Sequence, residues 1–162
     1  MVIGMIGGSY NPLHNGHVKC IKKALTMCDE LHIIIGDLPN RGNIDINTKL
    51  IWFREIFKDD LEKIVLHPFI DETAIKSDYT LDKWIFDSIK IKKLINKPID
   101  IVFCGADYNR EDNPYKVCYP DSKIIYFDRG DLINSTQIRE NLEIHKDWIP
   151  DIVYKTLKKE IL

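Results

Sequence analysis

Short continuous runs of apolar residues, each closed by glycine and followed by a stretch of helical periodicity, set the limits on how this chain can fold. Val2-Ile3-Gly4-Met5-Ile6 ends at Gly7-Gly8, and Leu31-His32-Ile33-Ile34-Ile35 ends at Gly36-Asp37. A run without polar alternation suits a strand covered on both faces, and the glycines read as strand-closing turns. Between the two runs Val18, Ile21, Leu25 and Cys28 recur at helical spacing, with Lys19, Lys22 and Lys23 on the opposite side. That pattern predicts an amphipathic helix from Gly16 onward.

The alternation continues to the end of the chain. Leu50, Phe53 and Phe57 mark a helix capped near Asp45 or Asn47, and Ile64-Val65-Leu66 a third strand. Tyr79 to Leu94 reads as another helix, with Leu81, Trp84, Ile85, Ile89 and Ile91 as its apolar residues, and Ile99 to Phe103 and Lys123 to Phe127 as the fourth and fifth strands. Pro150 suits the first turn of a last helix. Strands alternating with helices imply right-handed crossovers. The expected fold is α/β: a Rossmann-like, five-stranded, mainly parallel sheet with helices on both faces, forming a single domain over residues 1–162.

Composition narrows the function classes. With 44% hydrophobic and 30% charged residues the chain is neither disordered nor, lacking any run of about 18 apolar residues, a membrane span. At 162 residues it buries on the order of 70% of its unfolded surface without disulfides or a structural metal. Cys20, Cys28, Cys104 and Cys118 show no CxxC pair or zinc spacing, and read as reduced thiols acting as small hydrophobes. The 23 Lys+Arg against 25 Asp+Glu, a net charge of -2, create no cationic field for nucleic acid. An anionic ligand must be caught by a local arrangement. No basic region precedes the opening apolar run, so a cytoplasmic protein without a secretion signal is expected.

In open sheets of this class ligands bind beyond the carboxyl ends of the strands. The first loop there, Gly7-Gly8-Ser9-Tyr10-Asn11-Pro12-Leu13-His14-Asn15-Gly16-His17, enters a helix with two histidines three residues apart, on one side of the first turn. Unpaired N–H groups and the helix dipole favour an anion there, and each imidazole adds a donor. A lone histidine would be read as an incidental polar residue; the pair in this setting reads as a phosphate cradle. A dinucleotide fingerprint fails, although Asp37 lies near the ribose-acid position, because Gly4, Gly7, Gly8 and Gly16 do not fit G-x-G-x-x-G. After the fifth strand, Asn134 and Gln137 have capping-box spacing, which starts a helix at Asn134 or Ser135. The Ser135 and Thr136 hydroxyls then face outward with Arg139 one turn on. Alone this is an ordinary helix cap; beside the first loop it is a second anion site.

His14-Asn15-Gly16-His17 resembles the HxGH signature of a nucleotidyltransferase superfamily, and Ile133-Asn134-Ser135-Thr136-Gln137-Ile138-Arg139 resembles its closing ISSTxIR motif. Class I aminoacyl-tRNA synthetases share the histidine motif, but this chain is too short and has no KMSKS-like loop. Within the superfamily it is most similar to the nicotinamide mononucleotide adenylyltransferase domain of NadR-type proteins. Ile3-Gly4 through His17, Cys28 through Gly36 and Thr136 through Pro150 carry that similarity, with Gln137-Ile138-Arg139-Glu140-Asn141 and Trp148-Ile149-Pro150 the most specific parts. NadR-type proteins usually add a kinase domain with a P-loop; GxxxxGK[ST] does not occur here, so the adenylyltransferase alone is expected. Three positions depart from the pattern. Lys49 stands where an arginine is usual, and Asn134 replaces a small residue. Cys104-Gly105-Ala106-Asp107 is closer to the GxD segment of nicotinate mononucleotide adenylyltransferases.

The resemblance implies attack by the phosphate of a mononucleotide, nicotinamide mononucleotide above all, on the α-phosphorus of ATP, with Mg²⁺ carried by the ATP and no dedicated metal site. The attacking phosphate already carries about -1.5 to -2 charges, so no protein nucleophile is required. It assigns His14, His17 and Arg139 to the phosphates as catalytic residues, with Thr136 and Ser135 beside them. Gly7, Gly8, Ser9 and Tyr10 would line the nucleotide, and Gly105 and Asp107 would face the adenosine. Arg41 and Lys49 are candidates for the acceptor phosphate, and Trp84 for stacking on its ring. The implied partners are ATP and a small phosphorylated acceptor, not nucleic acid or membrane, and a homo-oligomer is compatible with them. Cytidylyl transfer to a polyol or lipid-precursor phosphate, adenylyl transfer to phosphopantetheine, and a non-catalytic nucleotide sensor remain as alternatives.

Overall fold

Alternating strands and helices wind a five-stranded sheet in the order β3-β2-β1-β4-β5, every neighbouring pair parallel. The computed structural model describes residues 1–40, 44–73, 79–128 and 133–161. The strands are β1 (Ile3–Gly8), β2 (Glu30–Asp37), β3 (Ile64–Ile70), β4 (Ile101–Gly105) and β5 (Lys123–Phe127). The helices are α1 (Asn15–Leu25), α2 (Ile46–Ile56), α3 (Leu81–Ile95), the short α4 (Pro114–Cys118), α5 (Ser135–Glu140) and α6 (Asp151–Ile161). Among the described residues no helix is long and apolar enough to cross a membrane.

β1 is central: Gly4 pairs with Leu31 on one side and Ile101 on the other. The chain leaves β1 toward β2 and later returns to its other edge as β4, so the topological switch point lies between β1 and β4. A crevice opens at such a point, beyond the carboxyl ends of the strands. Period-two alternation divides the core. Ile6, Leu31, Ile33, Ile35 and Phe103 pack with Ile21 of α1, Trp52 and Phe53 of α2, Phe57 at the end of α2 and Val153 of α6. Ile3, Met5, Ile34 and Val102 face the other way, toward Ile95 of α3 and Tyr115 and Cys118 of α4. Burying each large side chain contributes roughly 1.5–3 kcal/mol, which holds both helical layers on the sheet. The four cysteines are buried and unbridged in these layers.

Several element ends differ from the sequence reading. Gly7 and Gly8 are not a turn; they are the last residues of β1 and pair with Ile34 and Ile35. Position 8 has little room: a Cβ there would stand 3.0 Å from the Tyr10 ring, which folds back over the strand end. Gly4 is more constrained still, since its Cβ would lie 2.8 Å from the Phe103 ring, closer than a Cβ can stand. β4 runs two residues later than expected, and α4, capped by Asn113 with Pro114 in its first turn, was not anticipated. Five residues are too few to show a helical period. Asp45 caps α2 and Asn134 caps α5, as expected.

Candidate active site

The first loop builds its own scaffold. His14 is the N-cap of α1, its Nδ1 accepting from the backbone N–H of Gly16 at 3.1 Å and of His17 at 3.3 Å. His17 Nδ1 in turn accepts from the His14 N–H at 3.1 Å, closing a reciprocal capping box made of two histidines. The rings stack with centroids 3.5 Å apart and planes 18° apart. An Nδ1 that accepts holds no proton, so each neutral imidazole carries its proton on Nε2. The expected anion site at the helix start is thereby narrowed: the Gly16 and His17 N–H groups are occupied by the cap, and of the expected donors it is the imidazoles that line the cavity.

Tyr10 locks this geometry from below. It sits at φ 47°, in the left-handed region, and is 3% exposed. Its ring meets His17 and Phe53 edge-on, each at 4.9 Å. A bulky residue in that region costs of order 1–3 kcal/mol and persists only where packing over-determines it; the contacts to Phe53 and His17 supply that packing.

The second motif docks onto the first. Ser135 Oγ donates to the Pro12 carbonyl at 3.0 Å, and Arg139 donates through Nη1 to the Asn11 carbonyl and through Nη2 to Thr136 Oγ1 at 3.4 Å. The start of α5 is thus tied across the sheet end to the loop that carries the histidines. Asn11 itself is 6% exposed, and its Oδ1 is a buried acceptor with no hydrogen-bond partner among the described residues. A buried unpaired acceptor calls for a donor from outside the chain, such as a ligand or water.

These residues share one cavity of about 810 Å³ at the carboxyl ends of β1 and β4, within the roughly 300–1,000 Å³ of small-molecule sites. Gly7, Gly8, Ser9, Tyr10, His14 and His17 line it, as do Gly105, Ser135, Thr136 and Arg139, and Trp84 on the inner face of α3. At the far end Trp84 meets Tyr79, Tyr108 and Tyr115 edge-on at 5.1, 5.9 and 4.9 Å. Asp87, 2% exposed, accepts from the Tyr79 hydroxyl and takes Lys83 Nζ on both oxygens at 2.9 Å. Burial, then the bond to Asp87, pushes the Tyr79 phenol well above its ordinary range, so Tyr79 stays a protonated donor. Burial does the same to Tyr115.

Two expected site residues lie elsewhere, and a third falls outside the described residues. Lys49 does not line the cavity. It is fully buried, and its Nζ donates to the carbonyls of Ser9 and Gly36 at 2.8 Å each, stapling the loop after β1 to the end of β2. The cap Asp45 and Asn47 of α2 are exposed, but Lys49, Trp52 and Phe53 form its buried side, which turns Lys49 inward toward the strand ends. Asp107 is exposed on the 3₁₀ turn Ala106–Tyr108 that follows Gly105, and is also absent from the cavity wall. Arg41 lies outside the described residues. Sequence reasoning missed Asn11, Tyr79, Asp87, Tyr108 and Tyr115 as wall residues. Asn11 stood in the quoted loop, but nothing in local spacing marks the others.

The profile of cytidylyltransferase-like proteins matches residues 5–141. The chain is 28% identical to the trifunctional NAD biosynthesis/regulator protein NadR of Escherichia coli over 165 aligned positions, covering 91% of this chain and 38% of that protein. It is 26% identical to a phosphopantetheine adenylyltransferase of Mycoplasma mycoides, covering 86% of this chain and 94% of that one. Among solved structures, a bifunctional NMN adenylyltransferase/ADP ribose pyrophosphatase from Francisella tularensis, complexed with AMP and a manganese ion, superposes with a TM-score of 0.68 at 20% identity, over 99% of this chain and 49% of that one. The chain therefore spans half or less of the two multifunctional relatives, and the likeness to the Francisella structure concerns the fold. With the profile covering most of its length, and with the two histidines and the Thr136-Arg139 pair converging at the switch point, the chain belongs to the cytidylyltransferase-like family of nucleotidyltransferases.

Proposed function

We propose that the protein transfers AMP from ATP to the phosphate of nicotinamide mononucleotide, releasing pyrophosphate and forming NAD. The observation that carries this reading is the division of one cavity into a donor-rich end, with His14, His17, Thr136 and Arg139, and an aromatic end around Trp84. A triphosphate suits the first and a flat ring the second. The NadR and NMN adenylyltransferase names among the relatives support the acceptor.

The chemistry needs positioning and charge neutralisation. An oxygen of the acceptor phosphate attacks the α-phosphorus, and the bond to the bridging oxygen of pyrophosphate breaks. The Nε2–H groups of His14 and His17 stabilise charge gathering on the α- and β-phosphate oxygens, and Thr136 and Arg139 hold the leaving pyrophosphate. Because both Nδ1 atoms are engaged by backbone N–H groups, neither ring needs to rotate or change tautomer to donate. Ser135 and Lys49 act as positioning residues, one tying α5 to the histidine loop and the other holding the Ser9 end of that loop.

Among the described residues no three His, Cys, Asp or Glu side chains cluster to hold a metal. Mg²⁺ carried on the triphosphate needs no such cage, since its ligands are largely phosphate oxygens and water. It would neutralise charge on the leaving pyrophosphate, and the buried Asn11 Oδ1 suits a metal-bound water.

Incubation with Mg-ATP and nicotinamide mononucleotide, followed by chromatography and a pyrophosphate assay, tests the proposal. Dinucleotide formation is expected. Turnover with phosphopantetheine instead would favour the activity named for the Mycoplasma relative, whose length this chain nearly matches. Turnover only with CTP and a sugar-alcohol phosphate, or tight ATP binding without turnover, would overturn adenylyl transfer.

A further inference from the structure

The helix that walls the aromatic end of the cavity carries an uncovered apolar face on its outer side. Asp87, Ser88 and Ile95 of α3 are buried. On the opposite side Ile85 is 38%, Phe86 55% and Ile89 51% exposed. Single exposed apolar residues are ordinary; here three adjoin one another on one helix face and form a continuous apolar strip. Asp82 lies one turn before this cluster and Lys93 one turn after it, both exposed. Positions 82, 85, 86, 89 and 93 follow the spacing of a single helical stripe. Among the described residues no ion pair engages Asp82 or Lys93. Lys90 borders the stripe, its Nζ 4.3 Å over the Phe86 ring.

We propose that this face pairs antiparallel with the same face of a second copy of the chain, about a two-fold axis through the middle of α3. The register that sets Phe86 opposite Ile89 of the second copy also sets Asp82 opposite Lys93, because both pairs are centred on the same point of the helix. The axis repeats each contact, giving two apolar contacts flanked by two ion pairs in an isologous interface. A parallel pairing would set Asp82 against Asp82 and Lys93 against Lys93. Opposite charges placed evenly about an apolar centre are what self-pairing requires, and an unrelated partner would not impose that symmetry. Asp82 to Lys93 spans about 16 Å of helix, so the buried area falls below the roughly 800 Å² per partner of a standard interface. The dimer therefore forms with concentration, in the micromolar range.

Sedimentation equilibrium of the full chain over about 1–500 µM tests the inference, with circular dichroism confirming that each variant is folded. The wild type is expected to follow a monomer–dimer equilibrium. Asp82→Lys and Lys93→Asp should each weaken self-association about tenfold, and Phe86→Glu should abolish it. Mixing the two charge variants should restore near wild-type association as a heterodimer, since every facing pair is then opposite in sign. A wild type that stays monomeric, a Phe86→Glu variant that still dimerises, or a mixture no tighter than its parts would overturn the proposal.

Discussion

At one end of the cavity the functional side chains are held by bonds to backbone in one short loop and the helix docked on it: His14 and His17 cap α1 for each other, and Ser135 and Arg139 reach the carbonyls of Pro12 and Asn11. At the other end Tyr79 and Trp84 from one stretch of chain meet Tyr108 and Tyr115 from another through ring edges, with Tyr79 bonded to the buried Asp87. The first end has a fixed donor geometry, suited to a phosphate chain whose shape does not vary. The second is a packed surface whose selectivity depends on which rings line it. Divergence of acceptor among relatives, with NAD-related and phosphopantetheine names side by side, fits that contrast.

Substitutions can break or sharpen the contrast, beginning with the largest effect. On the proposed reading, His17→Ala should lower turnover by about 10² to 10³, the usual loss for one transition-state donor, as read by pyrophosphate release; near wild-type turnover would remove His17 from the chemistry. His14→Asn separates cap from catalysis, because asparagine is a strong N-cap without the Nε2–H. It should lose about 10² in turnover while its melting temperature stays close to wild type, whereas a matched loss of both would make His14 only a cap.

Lys49→Ala should destabilise the fold by about 2–4 kcal/mol in urea titration, since it leaves a cavity and two carbonyls without their donor. A neutral result would show that the staple between the two strand ends is dispensable. At the aromatic end, Trp84→Ala should raise the acceptor KM about tenfold and leave the ATP KM unchanged. If both KM values rise together, the division of the cavity into two ends is wrong.

The smallest effect concerns the sheet edge. His67 on β3 lies 2.7 Å from His32, which also bonds Glu30 at 2.6 Å, with Lys97 on the same carboxylate. Burial, then the charge of His32, lowers the His67 pKa below its ordinary value. The unfolded chain thus binds this proton more readily than the folded one, so stability is full above the ordinary histidine range and is lost as the pH falls through it. Unfolding free energies at about pH 8 and about pH 5.5 should differ less in His67→Gln than in wild type.

How far the molecule was legible depends on the range of the interactions involved. Strand runs, helix stripes and the caps at Asp45 and Asn134 are local, and each stands where spacing placed it or within a few residues of it. The histidine loop was legible as a candidate anion site with helix N–H groups and imidazoles as donors, but the cap's own occupation of the Gly16 and His17 N–H groups was not. Histidine is a rare cap, and that its Nδ1 fills the first-turn N–H groups follows from the ring packing against Tyr10 and its partner ring. Lys49 shows a different limit: a lysine at this point reads as a candidate for the acceptor phosphate, and only the packing of α2 makes it an internal staple.

The order of strands and helices along the chain, and two motifs whose residue types suit an anion, follow from residue type and spacing alone, because hydrophobic periodicity and capping act over a few residues. Which motifs face each other, which glycine must stay bare and which rings wall the aromatic end of the cavity were decided by the parallel order β3-β2-β1-β4-β5. That order carries the ends of β1 and β4 side by side and lays α3 across from α5, joining residues more than a hundred positions apart, such as Pro12 and Ser135. Contacts of that span leave no period in the chain, since they depend on how whole layers pack.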